Sequence, residues 1–81
     1  MNKEKIVEFI KERGFDSISE FSTACNIDPS NINKNLNGSI KPNIKRMFVF
    51  AKVLKADISQ IIYLFYTDEY KELIDIVNKS N

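Results

Sequence analysis

Residues 28–39 read DPSNINKNLNGS. Asp28 and Pro29 open the stretch as an N-cap and a first helical residue, and Asn37-Gly38 closes it as a C-terminal stop. Four of its twelve residues are asparagine and only Ile32 and Leu36 are aliphatic. Asparagine is a poor helix former because its side chain competes for nearby backbone groups. Packing alone therefore gives no reason for this helix. With Ile32 set at 0°, Leu36 falls at about 40°, Asn33 at about 100°, Asn37 at about 140°, Ser30 at about 160° and Lys34 at about 200°. A narrow apolar seam pins the helix, and Ser30, Asn31, Asn33 and Lys34 make up a broad polar face. Asn35, at about −60°, sits at the edge of the core for no reason visible in the sequence.

The segments on either side read as further helices. Ile6, Phe9, Ile10 and Arg13 follow helical spacing from about Lys3, and Gly14 stands where a helix ends. Ser17-Ile-Ser-Glu20 is a capping-box pattern opening a helix to about Cys25, and Asn26 suits the left-handed turn that must follow. Beyond Pro42, residues Ile44 to Leu54 are apolar almost all round, which predicts a helix at the centre of the core. Asp57 caps a fifth helix, about Ile58 to Tyr66. Thr67 caps a sixth, about Asp68 to Lys79. No strand-like alternation, internal repeat or low-complexity segment interrupts this series. The expected fold class is all-α, a single domain of five to six helices over residues 1–81, with its core in 3–66 and an added C-terminal helix at 68–79.

At 81 residues with 43% hydrophobic content, the chain has room for one core and composition enough to fold. Cys25 is the sole cysteine and there is no histidine. Neither an internal disulfide nor a histidine-based zinc site is therefore expected, and Cys25 reads as a core residue in a reducing, cytoplasmic setting. MNKEKIVEF lacks the apolar run of a secretory signal, and no stretch nears the length of a membrane span. No metal motif, phosphate loop or catalytic triad is present, so we expect no enzyme activity, no catalytic residue and no cofactor.

Charge is unevenly distributed. The formal net charge is +1, yet residues 26–56 hold six Lys/Arg against Asp28 alone, a local +5. Residues 57–81 hold two lysines against five acids, or −3. The basic middle surrounds the polar helix, as an anion-binding surface requires. Asparagine amides can pair with the adenine N6/N7 edge, and lysine can reach guanine O6/N7. A short helix, a tight turn, this polar helix and an apolar backing helix form the helix-turn-helix layout.

Residues 17–62, SISEFSTACNIDPSNINKNLNGSIKPNIKRMFVFAKVLKADISQII, resemble the helix-turn-helix domain of the phage repressor/Cro family, also called the XRE family. The likeness lies in Phe21 with the small Ser22–Ala24, the turn Cys25-Asn26-Ile27, Ile32, the LNG ending, Pro42 and the FAKVLKADISQII tail. It implies a transcriptional regulator that reads the major groove of double-stranded DNA with residues 29–36. Ser30, Asn31 and Lys34 would lie nearest base edges, with Asn33 beside them. It further implies phosphate contacts at Asn37, Ser39, Lys41 and Lys45, and at the backbone amides near Ser17. Ile18 stands where the family often has a phosphate-binding glutamine. Leu36 stands where many members have a glutamate that pairs with an arginine of the first helix, and Ile10 is the residue expected to face it. A homodimer on a palindromic operator is the expected working form. Tyr63, Tyr66, Tyr70, Leu73 and Val77 follow helical spacing, as either a dimer seam or part of the monomer core. Two other readings stay open: an antitoxin whose C-terminal helices bind a protein partner, and a protein-interaction module that has kept only the fold.

Overall fold

Side chains start most of the helices. In the computed structural model, which describes residues 1–79, Asn2 Oδ1 accepts from the Lys5 N–H and opens α1, Lys3–Glu12. Ser17 Oγ accepts from the Glu20 N–H and opens α2, Ile18–Cys25. Asp28 opens α3, Pro29–Asn37, and Asn43 opens α4, Ile44–Leu54, its Oδ1 accepting from the Arg46 N–H at 2.8 Å. Asp57 opens α5, Ile58–Phe65, and its N–H donates to Gln60 Oε1. The last helix, α6, runs Thr67–Lys79, and every described residue in regular structure is helical. The all-α architecture expected from the sequence is what is observed.

Three stops use left-handed backbone. Asn26 at φ 57° ends α2, and its neighbour Ile27 donates back to Ser22 O at 3.1 Å. Gly38 at φ 80° ends α3, a conformation glycine adopts without a Cβ penalty. Lys55 at φ 53° ends α4 in the same way but without that freedom. Arg13 braces this point: its Nη1 donates to Lys55 O at 3.1 Å, and its guanidinium lies 4.8 Å from the Phe9 ring centre.

Ile6 and Ile10 of α1, Ile32 and Leu36 of α3, and Ile61 of α5 are essentially sealed from water. A chain of rings runs through this core. Phe15 meets Phe21 at 5.6 Å between centroids, Phe21 meets Phe50 at 5.4 Å, and Phe50 meets Phe65 at 5.4 Å, spacings typical of favourable aromatic pairs. The fully buried Ile10 and Leu36 belong to one cluster, and no ion pair is needed between α1 and α3 there.

Three local expectations are corrected. The apolar α4 is not central on all sides: Met47, Phe50, Ala51 and Leu54 are buried, while Ile44 and Phe48 are 59% and 56% exposed. The other helices pack against one face of α4 and leave that edge uncovered. At α2, Glu20 Oε2 accepts from the Asp16 N–H at 2.9 Å and not from that of Ser17, so the capping box closes one residue early. Thr67 does not cap α6. It lies inside the helix, and its hydroxyl donates back to the Tyr63 carbonyl, bridging a break between α5 and α6 that is only one residue long.

Candidate nucleic-acid interface

At the start of α3, Asp28 Oδ1 accepts from both the Ser30 N–H, at 2.8 Å, and the Ser30 hydroxyl, at 2.7 Å. These two bonds, with the Lys34 charge adding to them, hold the Asp28 carboxyl below its ordinary range. The carboxylate thus stays charged at the helix N-terminus, where the backbone dipole favours it.

Beneath α3, Ile32, Asn35 and Leu36 are buried, while Ser30, Asn31, Asn33, Lys34, Asn37 and Ser39 are exposed. Among the described residues, no hydrogen bond or ion pair engages the side chains of Asn31, Asn33, Lys34 or Ser39. Ser30 differs from the sequence expectation: its hydroxyl proton is committed to Asp28, so it retains only acceptor capacity.

Asn35 has a purpose that the sequence does not reveal. Its Nδ2 donates to Ile40 O at 2.7 Å, and its Oδ1 accepts from Arg46 Nη1 at 3.2 Å. One buried amide thereby ties the loop after α3 to the first turns of α4, the two segments that carry Ser39, Lys41 and Lys45. Arg46 is half-buried and occupied by this bond.

The cations around α3 are not equivalent. Lys45 is exposed and has no ion pair or hydrogen bond among the described residues. Lys41, expected from the resemblance to contact phosphate, is engaged within the chain. Its ammonium is ion-paired with Glu69 of α6 and lies 4.8 Å from the centre of the Tyr66 ring. Glu69 is held below the usual carboxylate range by that lysine. Lys3, which sequence reading passed over, donates to Asn37 Oδ1 at 3.1 Å and adds a cation beside the end of α3. Its partner lies 34 positions away, beyond the reach of any local pattern. Asn37 keeps its amide N–H groups for another acceptor. Ser17 is exposed, with its oxygen accepting from Glu20 N–H at the start of α2.

The five candidate dimer residues separate. Tyr66 belongs to the monomer, because its hydroxyl donates to Pro42 O at 2.8 Å. Tyr63 and Tyr70 meet edge to face at 5.6 Å within one chain. Leu73 and Val77 are 61% and 56% exposed, and α6 has no buried residue.

Cys25 is buried, and burial pushes its thiol up to about 11, with the Arg46 cation opposing. Among the described residues, no group of three metal-ligating side chains forms, and no helix is long and apolar enough to cross a membrane. Compared with protein-family models, with curated proteins and with solved structures, the chain matches none.

Proposed function

We propose that this chain is a sequence-specific DNA-binding regulator of the repressor/Cro type that lays α3 in the major groove and acts as a homodimer. The observation that carries this reading is the exposed row Asn31, Asn33 and Lys34, standing over a buried seam of Ile32, Asn35 and Leu36. Donors and acceptors on such a row have the chemistry of base edges. Ser30 contributes an acceptor beside them. Asn37 and Ser39 follow the row along the chain, and with Lys45 and the amides near Ser17 they suit phosphates. Lys41 joins them once a phosphate displaces Glu69. Regulation follows from occupancy of the operator in a cytoplasmic setting.

Fluorescence anisotropy with random-sequence duplex across a salt series tests the reading. Binding that weakens steeply as salt rises is expected from release of condensed counterions. Absence of binding at low salt refutes it.

A further inference from the structure

The apolar side of α6 begins on the body of the protein and continues past it. Its root is fixed by the Tyr66–Pro42 hydrogen bond and the Lys41–Glu69 ion pair. Taking Leu73 as 0°, Ile76 lies at about −60°, Val77 at about 40°, Tyr70 at about 60° and Ile74 at about 100°, so one apolar stripe runs along the helix. From Lys71 onward every described residue of that helix is exposed, including Leu73, Ile74 and Val77. A second uncovered apolar strip is formed by Ile44 and Phe48, one turn apart on α4, and its Ile44 end adjoins α6. Ile44, Met47, Tyr66 and Leu73 line one groove between the two helices.

The two strips carry opposite charges. Along α4, Lys45 and Lys52 stand beside Ile44 and Phe48, and the helix holds no acid. On α6, Asp68, Glu69, Glu72 and Asp75 outnumber Lys71 and Lys79. Glu72 lies at about −100° from Leu73 on one border of the apolar stripe, with Lys79 near it and Lys71 on the opposite border, and Lys52 lies about 40° from Phe48 on the border of the other strip. A surface that holds one apolar strip on a basic helix and another on a net acidic helix is complementary to itself. A two-fold axis pairs such strips twice over.

We infer that a second copy of this chain is the occupant: α6 of each protomer lies across Ile44 and Phe48 of the other, with Glu72 facing Lys52 at each of the two equivalent contacts. The inference rests on the dimeric part of the function proposed above and not on its DNA contacts. Pairing of α6 with α6 alone would set two net acidic helices against each other and leave Phe48 in water.

Sedimentation velocity of the full chain without DNA, at about 100 μM, is the test, since that concentration far exceeds the Kd of an ordinary stable interface. The expected mass is twice the 9.4 kDa of one chain, and a single-chain mass overturns the inference. Phe48→Glu and Leu73→Glu both change exposed residues, so circular dichroism should stay helical. Each is expected to raise the dissociation constant at least about tenfold, the scale of an interface hot spot. Loss of the dimer in Leu73→Glu but not in Phe48→Glu overturns the pairing of α6 with α4. Lys52→Glu should weaken the dimer severalfold, and adding Glu72→Lys to the same chain should recover it; a double variant no tighter than Lys52→Glu also overturns it. A dimer that ignores duplex at low salt refutes the DNA reading and leaves this interface standing. A monomer that binds duplex does the reverse.

Discussion

Asn35 and Arg46 are joined across the α3–α4 connection by a 3.2 Å hydrogen bond from Arg46 Nη1 to Asn35 Oδ1, while the same amide donates to Ile40 O. Asn35→Ala strands the Ile40 carbonyl and leaves a half-buried guanidinium without its acceptor. The expected loss is about 2–4 kcal/mol, combining two lost bonds with the cost of unsatisfied buried groups. Urea denaturation followed by circular dichroism reads it as a lower midpoint with the slope unchanged. A midpoint equal to that of the parent would show that solvent replaces both bonds.

Lys55 ends α4 at φ 53°, where a side chain is disfavoured. Lys55→Gly removes the Cβ from that conformation and keeps the carbonyl that Arg13 binds. A gain of about 1 kcal/mol is expected, net of the extra freedom glycine gives the unfolded chain. The thermal midpoint measures it. A lower midpoint would mean that the lysine stem contributes packing worth more than the strain.

Asp28 supplies a pH dependence. Its carboxyl is held low in the folded chain by Ser30, from a reference of 3.8, so the unfolded chain binds the proton more readily. Its contribution to stability is therefore present above about pH 4 and disappears as pH falls through the depressed folded value. Asp28→Asn keeps a capping oxygen but no titrating group. The variant should lose less stability than the parent between pH 5 and pH 2, a comparison made by urea midpoints at both pH values. Parallel losses would show that other carboxylates govern the acid limb.

The lysines around α3 should separate by salt dependence. Lys45→Ala is expected to reduce the magnitude of the salt slope of DNA binding by about 0.9, the signature of one lost phosphate contact. Lys41→Ala should change it by less, because Glu69 already holds that ammonium. Lys34→Ala should instead relax base preference at one operator position by about 1–3 kcal/mol, measured by selection from a random duplex library. Uniform weakening over all sequences would assign Lys34 to phosphate.

Local signals were the most legible part of the fold. Ser17, Asp28 and Asp57 as caps, Asn26 and Gly38 as left-handed stops, and the periodic burial of Ile6, Ile10, Ile32 and Leu36 depend on interactions within a few residues, which spacing encodes. Features left unexplained or open by the sequence depend on distant partners. Asn35 is explained only by Ile40 and Arg46, Lys41 is diverted by Glu69 from 28 positions away, and Tyr66 is claimed by Pro42 from 24. The exposure of Ile44 and Phe48 was illegible for another reason. Hydrophobicity marks what prefers burial but not whether a chain of 81 residues has enough neighbours to cover it. The exposed row on α3 was visible from helical angles alone, whereas the commitment of the Ser30 hydroxyl to Asp28 required coordinates.

The junction between α5 and α6 has a practical consequence. The chain has no tryptophan, and its three tyrosines, Tyr63, Tyr66 and Tyr70, all gather at that junction. Its phenylalanines, by contrast, include the ring chain of the core. Tyrosine emission is therefore an unlabelled optical probe of the α5–α6 junction. Helix melting seen by circular dichroism and loss of the tyrosine signal can be recorded on one sample, and any gap between the two curves times the release of α6 against collapse of the body.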